Sequence, residues 1–190
     1  MPRSTDRLPR LFIERELSGS NLPLDERPPG IELALIVVHG IRLPPAEFGN
    51  GWIDRFFCNA LPGDAHPYFA TICTAHVSAH VLIARDGSVT QYVPFHCRAW
   101  HAGKSEYRGR PACNDFSVGV ELEGTDDLPY EEAQYDALAE LIAALRRTYP
   151  SLETAEIVGH SDIAPGRKTD PGPSFEWGEL TRRLPAATAT

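Results

Sequence analysis

One apolar run constrains the fold more than any other part of the sequence. Residues 33–38 read Leu-Ala-Leu-Ile-Val-Val and are followed directly by His39 and Gly40. A continuous apolar run of this length that stops at glycine is typical of a buried central strand. A second short strand, predicted at residues 156–160, also ends in a histidine, His160. The sequence thus predicts two strands that each present an imidazole at an edge of the sheet.

The remaining segments complete an α/β pattern. The turn sequence Arg85-Asp86-Gly87 between two strand-like runs indicates an antiparallel hairpin. Residues 130–149 carry leucine and isoleucine at helical spacing, with glutamates in the first turn and arginines in the last, and predict the main helix. The fold class that follows is α/β, a mixed central β-sheet flanked by helices. We further expect a long surface loop at 97–113, a strand at 116–122, and shorter helices at 52–60 and 175–184.

Length and charge bound the organisation and the partners. A chain of 190 residues suits one domain, residues 1–190, with a proline-rich N-terminal arm at 1–30 and a flexible tail at 185–190. With 18 Lys and Arg against 26 Asp and Glu, the net charge of -8 repels phosphate backbones, so we expect no nucleic-acid partner. No stretch has the pattern of a signal peptide or of a membrane span. We therefore expect a cytoplasmic protein without a membrane partner, taken as a monomer.

The two strand-end histidines raise the question of a metal site. The four cysteines form no CxxC pair, so a thiolate site is not indicated. A third ligand beside His39 and His160 could come from Asp170, ten positions beyond His160 in a proline-bounded loop. Two neutral imidazoles and one carboxylate suit zinc and leave a fourth position for water. Spacing alone equally allows a second interpretation, in which Asp170 only caps the turn before Pro171.

Two carboxylates and a lysine are candidates for the chemistry around such a metal. Glu121 and Glu123 alternate with apolar residues and therefore share one face of a predicted strand. A carboxylate beside a zinc-bound water could accept its proton, and the ammonium of Lys168 could stabilise an oxyanion. Periodicity does not choose between Glu121 and Glu123. It also allows a solvated polar face with no chemical role.

Motifs spread along most of the chain are similar to those of one enzyme family. They include Val37-Val38-His39, Val77-Ser78-Ala79-His80, Arg98-Ala99-Trp100-His101-Ala102-Gly103, Cys113-Asn114-Asp115-Phe116-Ser117, Glu121-Leu122-Glu123-Gly124, Gly159-His160 and the run from Asp162 to Pro173. From about residue 33 to residue 177 they follow the order of the family, which is more specific than any one motif. The chain resembles the zinc-dependent anhydro-N-acetylmuramyl-L-alanine amidases, the AmpD family, within the wider amidase and peptidoglycan-recognition fold.

The resemblance implies a metal centre and a reaction. It implies that His39, His160 and Asp170 hold one zinc ion. The implied reaction is hydrolysis of the amide between the lactyl group of N-acetylmuramic acid and L-alanine, in anhydro-muropeptides recycled through the cytoplasm. Two alternatives share this outline: an amidase that acts on intact peptidoglycan, and a module that binds muropeptides without cutting them.

The resemblance also implies roles for the residues around the metal. It selects Glu121 over Glu123 as the carboxylate that takes and returns the proton, and it makes Lys168 the electrophilic stabiliser. Trp100 and His101 are expected to line the pocket for the sugar, where an aromatic ring can stack. Trp100 could instead pack under its own loop.

Three positions depart from the family pattern. The residue after the first zinc histidine is often asparagine in the family but is Gly40 here, so we expect a polar contact near the metal to be missing. Basic residues are common at two further positions, which are His76 and Ala112 in this chain. Because basic residues there would pair with carboxylates of the stem peptide, we expect the preference for peptide length to differ.

Overall fold

The computed structural model describes residues 15–16, 25–45 and 47–185, and a mixed β-sheet is its central element. The strands are β1 (Arg15–Glu16), β2 (Asp25–Glu26), β3 (Leu35–Ile41), β4 (Val81–Ile83), β5 (Val89–Gln91), β6 (Cys97–Arg98), β7 (Glu106–Tyr107), β8 (Arg110–Pro111), β9 (Ser117–Glu123) and β10 (Glu156–Gly159). The main sheet has the order β1-β5-β4-β9-β3-β10. Strand β3 pairs in parallel with β9 and β10, whereas β4 and β5 form the predicted antiparallel hairpin. The predicted mixed sheet is confirmed.

The helices are α1 (Trp52–Phe57), α2 (Glu132–Thr148), α3 (His160–Ile163) and α4 (Trp177–Arg183). Helix α2 is the one predicted from leucine spacing, and it starts with a capping box in which the backbone N–H of Glu131 donates to the side chain of Gln134 at 3.1 Å. Within the described part of the chain, no helix combines the length and the apolar character that a membrane span requires.

Alternate residues of β3 and β9 form the core beneath α2. Their apolar side chains pack against one stripe of the helix and lose their contact with water, which stabilises the fold by roughly 1.5–3 kcal/mol for each large side chain. The main members of this cluster are Ile36, Val38, Val118, Val120, Leu122, Leu138, Leu141, Ile142 and Leu145.

The opposite face of the sheet is covered differently. One apolar cluster, with Ile53 of α1 and Leu82 of β4, covers one side of this face, and a second, with Val37 of β3, covers the other. Between the two clusters, β9 and β3 present the polar pair Glu121 and His39, which are cross-strand neighbours, and Leu82 lies on the other side of Glu121. The polar candidates therefore occupy the gap between two apolar clusters.

Part of the predicted N-terminal arm is fixed to this framework. Strand β2 pairs with β6, and the half-buried Arg27 donates hydrogen bonds to the carbonyl oxygens of Phe95, Asn114, Asp115 and Ser117. Residues 1–14 and 17–24 of the predicted arm and residues 186–190 of the predicted tail lie outside the described residues. The organisation as one domain stays a prediction.

The segment expected as a surface loop at 97–113 is only partly one. Residues 106–111 form the small β7–β8 hairpin, but His101 and Ala102 are buried. The side-chain oxygen of Asn114 accepts hydrogen bonds from the backbone N–H groups of His101 at 3.1 Å and Ala102 at 2.8 Å. Cys97, Ala99, Ser105 and Cys113 are buried as well, so the prediction of a surface loop was wrong for all six of these residues.

Candidate metal centre and active site

The two predicted histidines meet at the carboxyl ends of neighbouring parallel strands. His39 lies near the end of β3, and His160 directly follows β10, the strand that pairs with β3. Both side chains are buried. Their Nδ1 atoms are 2.9 Å apart, so the two imidazoles face each other at the sheet edge.

Asp170 completes a group of three. Its Oδ2 atom lies 3.1 Å from Nδ1 of His39 and 3.0 Å from Nδ1 of His160. Zinc bonds of about 2.0–2.1 Å in a tetrahedral arrangement place ligand atoms roughly 3.3 Å apart, close to these separations. In the ranges that the structure describes, no other group of three or more His, Cys, Asp or Glu residues has this geometry. The donor set therefore fits zinc.

The loop that carries Asp170 is held from two sides. The backbone N–H of Ser161 donates to the carbonyl oxygen of Asp170 at 3.0 Å, and the Tyr130 hydroxyl donates to that of Pro171 at 2.9 Å. A Cβ at Gly40 would overlap the Tyr130 hydroxyl, so a larger residue at this position would displace that side chain. The Tyr130 hydroxyl therefore occupies the space in which the side chain of the asparagine common in the family would begin.

The charges of the three candidate ligands suit a dication. Burial lowers the pKa of His39 to about 4, against the opposing effect of the neighbouring Asp170, so the imidazole is neutral at pH 7. Burial alone would raise the pKa of Asp170, but contact with the imidazoles of His160 and His39 holds that pKa below its usual value. Asp170 is therefore ionised and gives the group a negative charge.

Glu121 is the buried carboxylate next to this group. It is the cross-strand partner of His39, and burial, followed by the charge of Asp170, raises its pKa well above the ordinary value, while Lys168 opposes the rise. Glu123, on the same face, instead accepts a hydrogen bond from the backbone N–H of Gly49 at 2.7 Å and lines a separate pocket. The structure thus gives the two carboxylates different surroundings.

The metal-ligand group, Glu121 and Lys168 line one cavity of about 510 Å³. Lys168 is exposed at its rim, whereas Glu121 is only 7% exposed. A buried carboxylate with a high proton affinity, an ammonium group and three ligand atoms thus border the same space. Such an arrangement is suited to hydrolysis at a metal.

The two residues predicted to bind the sugar have different environments. Trp100 is 41% exposed and lines the cavity; its indole N–H donates to Asp25 at 2.5 Å, and the Arg98 guanidinium lies 4.3 Å from its ring centre. His101 is 9% exposed, and its ring contacts His39 and Ser117. Sugar binding by Trp100 and His101 stays a prediction.

Sequence reasoning missed the residues that support the site. Asn114, Ser117 and Tyr130 all contact functional residues or their loops, yet none was singled out as a site residue. Asn114 and Ser117 belong to a motif that carried the family resemblance, which was the available signal for those two.

Comparison with known proteins extends these observations. The chain matches the family model described as N-acetylmuramoyl-L-alanine amidase over residues 30–173. A protein of Citrobacter freundii named 1,6-anhydro-N-acetylmuramyl-L-alanine amidase AmpD is 57% identical over 158 residues, which cover 83% of this chain and 81% of that protein. The protein of the same name from Escherichia coli K12 is 56% identical and is covered to 83%.

Solved structures agree with the sequence matches. The crystal structure of an AmpD derivative has a TM-score of 0.86 at 51% identity and covers 90% of this chain and 94% of its own. AmiD from E. coli, solved with anhydro-N-acetylmuramic acid-L-Ala-D-gamma-Glu-L-Lys, has a TM-score of 0.58 at 30% identity, with coverage of 80% and 57%. The match in sequence runs through both histidine-bearing strands and the loop of Asp170, and the chain belongs to the N-acetylmuramoyl-L-alanine amidase family.

Proposed function

We propose that this protein is a zinc-dependent amidase that cleaves the bond between the lactyl group of N-acetylmuramic acid and L-alanine in 1,6-anhydro-muropeptides. One observation carries the proposal: the ligand atoms of His39, His160 and Asp170 border the same cavity as the buried carboxylate of Glu121. Relatives named 1,6-anhydro-N-acetylmuramyl-L-alanine amidase support the substrate class. The cellular role that goes with this substrate is recycling of peptidoglycan fragments in the cytoplasm.

His39, His160 and Asp170 would hold the zinc ion. Two imidazole nitrogens and one carboxylate oxygen form a donor set that zinc accepts with a further position open. Bound zinc supplies Lewis-acid chemistry, which polarises a carbonyl group and brings the pKa of water to about 7. On their far sides, the imidazoles of His39 and His160 contact His101 at 2.8 Å and the carbonyl oxygen of Ala102 at 3.2 Å, which fixes the orientation of both rings.

The Glu121 carboxylate acts first as a base and then as an acid. It takes a proton from the attacking water as the oxygen bonds to the amide carbon. It then gives that proton to the nitrogen of L-alanine as the carbon–nitrogen bond breaks, which leaves a lactyl carboxyl group and a free amine. Its raised pKa favours the first transfer, because a carboxylate with high proton affinity is a stronger base.

Lys168 stabilises the charge that develops on the carbonyl oxygen. Its ammonium lies at the rim of the cavity that contains Glu121 and the metal ligands. A donor aimed at a developing oxyanion contributes roughly 3 kcal/mol to the stability of the transition state.

Trp100 and Arg42 are placed to contact the substrate beyond the reacting bond. Trp100 offers an exposed ring at the cavity, on which a sugar can stack. Arg42 is exposed and lines both this cavity and an adjoining pocket of about 330 Å³, and no side-chain hydrogen bond or ion pair engages it within the described ranges. Its guanidinium is therefore available for a carboxylate of the stem peptide.

A matched pair of carboxylate variants tests the function. Wild-type protein, Glu121→Gln and Glu123→Gln are loaded with zinc and incubated with anhydro-N-acetylmuramyl-tripeptide, and products are followed by mass spectrometry. We expect free tripeptide from the wild type and from Glu123→Gln, and a loss of roughly 10²–10⁴-fold in rate for Glu121→Gln with zinc retained. Absence of cleavage by zinc-loaded wild type would refute the proposal. Faster cleavage of purified sacculi would refute the substrate class.

A further inference from the structure

His101 lies at the centre of a chain of hydrogen bonds that ends at a predicted metal ligand. Its Nδ1 atom is 2.8 Å from Nε2 of His39, and its Nε2 atom is 3.1 Å from Oγ of Ser117. The Ser117 hydroxyl is in turn 2.6 Å from the carbonyl oxygen of Cys113. All three side chains in this chain are buried.

The carbonyl oxygen of Cys113, at the end of this series of hydrogen bonds, determines which atom carries each proton. The Cys113 carbonyl can only accept, so the Ser117 hydroxyl donates to it and offers His101 a lone pair. His101 must then carry its proton on Nε2, which leaves Nδ1 as an acceptor. The contact between Nδ1 of His101 and Nε2 of His39 is then a hydrogen bond only if His39 carries its proton on Nε2. This leaves the lone pair of His39 on its Nδ1 atom.

The packing around His101 prevents the ring from moving away from this chain. A Cβ at Gly119, on the strand beneath, would overlap the His101 ring, so the ring sits directly on the backbone of β9. Asn114 holds the backbone N–H groups of residues 101 and 102. The strand and the loop thus fix the position of the imidazole.

We propose that His101, oriented by Ser117, is a positioning residue that keeps the proton of His39 on Nε2 and so directs the Nδ1 lone pair to the metal. This role differs from contact with the sugar, and it rests on the proposed zinc site. His160 is oriented in a similar way, because its Nε2 atom faces the carbonyl oxygen of Ala102 at 3.2 Å. Both Nδ1 atoms then meet Asp170 as lone-pair donors, an arrangement that a bound cation stabilises.

The proton positions can be read directly by ¹⁵N NMR of histidine-labelled wild-type protein, with and without zinc. We expect His101 to be neutral with its proton on Nε2 in both samples. A proton on Nδ1 of His101 would overturn the proposal, because His101 would then donate to His39. This measurement needs no variant and is independent of catalytic activity.

Zinc affinity of three variants provides the second test, by competition with a chromophoric chelator at pH 7.5. We expect His101→Ala to bind zinc roughly 10–100-fold more weakly than wild type. His101→Asn, whose side-chain oxygen can replace the Nδ1 acceptor, should recover most of that loss. The control is His80→Asn, which alters another buried histidine that contacts the backbone of Gly119 but not His39; its affinity should equal that of the wild type.

The outcomes separate this proposal from the zinc site itself. Wild-type protein that binds no zinc would refute the proposed metal centre. Wild type that binds zinc, together with an equally tight and folded His101→Ala variant, would refute only the role of His101. A folded His101→Asn variant that binds zinc as weakly as His101→Ala would also overturn it.

Discussion

The two faces of the central strands are both buried but are stabilised in different ways. Towards α2, β3 and β9 present Ile36, Val38 and Val120, which contact other apolar side chains. Towards the cavity, the same strands present His39 and Glu121, whose neighbours are histidines and carboxylates. Apolar contacts tolerate small shifts, whereas hydrogen bonds between imidazoles require defined proton positions. One face of this sheet thus packs against a helix through apolar contacts, and the other gathers the polar residues of the candidate site.

Loss of a metal ligand should give the largest effect on the cavity face. We expect Asp170→Ala to lose zinc and all detectable hydrolysis, because only the two imidazoles remain as ligands. The protein should stay folded, since the α2 face is untouched. Zinc content by atomic emission, together with circular dichroism, checks this expectation; full zinc content in the variant would show that the ligand set is wrong.

Acid should lower the free energy of unfolding through a buried histidine on the cavity face, whereas the apolar α2 face has no such group among the described residues. Burial, followed by the charge of Arg27, lowers the pKa of His80 to about 3, so its unfolded form binds a proton at a higher pH than its folded form. The stability from the neutral ring is complete above about pH 6.5 and is lost progressively as the pH falls towards 3. Urea unfolding of metal-free protein from pH 7.5 to 4 should show this decline, with a smaller slope in His80→Asn. Equal slopes would contradict the assignment.

Truncation on the α2 face should change stability without changing the chemistry. Leu138 is fully buried in the apolar cluster beneath α2. We expect Leu138→Ala to lower the free energy of unfolding by roughly 2–5 kcal/mol. Zinc affinity of the folded fraction should equal that of the wild type. A weaker zinc site in this variant would mean that the two faces are coupled.

Removal of one hydroxyl should have a smaller effect that is confined to the loop of Asp170. Tyr130→Phe deletes the hydrogen bond to the Pro171 carbonyl and is expected to cost about 1 kcal/mol of stability. Because the aromatic ring remains, the core should be preserved. Calorimetry and zinc titration would measure both quantities. An unchanged melting temperature would show that this hydrogen bond does not hold the loop.

A change at the rim should be the smallest and should appear only in substrate affinity. We expect Arg42→Gln to raise KM severalfold for a stem peptide with a free glutamate carboxylate, with kcat unchanged and with no effect on the corresponding amide. Arg147→Gln, an exposed position on α2, is the control. Equal changes for the acid and the amide would exclude a contact between Arg42 and that carboxylate.

How much could be predicted from the sequence also differs between the two faces. The α2 face was predicted, because the leucine spacing of α2 and the alternation at Val118 and Val120 report burial directly. The positions of His39 and His160 were predicted from the ends of their strands. The choice of Glu121 over Glu123 came from the resemblance alone, because what distinguishes them structurally is a hydrogen bond from the distant Gly49.

The contacts of His101 could not be predicted from the sequence, because its partner is also distant along the chain. Its partner His39 is 62 positions away, and neither residue's periodicity reports a hydrogen bond between rings. The backbone N–H groups of residues 101 and 102 both donate to one amide side chain, that of Asn114. Long-range polar contacts of this kind become visible only when the fold is known.

The most direct measurement is anomalous diffraction at the zinc absorption edge from crystals of the zinc-loaded protein. We expect one zinc ion per chain, bonded to Nδ1 of His39, Nδ1 of His160 and a carboxylate oxygen of Asp170, at about 2.0–2.2 Å from each. A zinc ion bound through Nε2 of His39, or bound elsewhere on the chain, would contradict it.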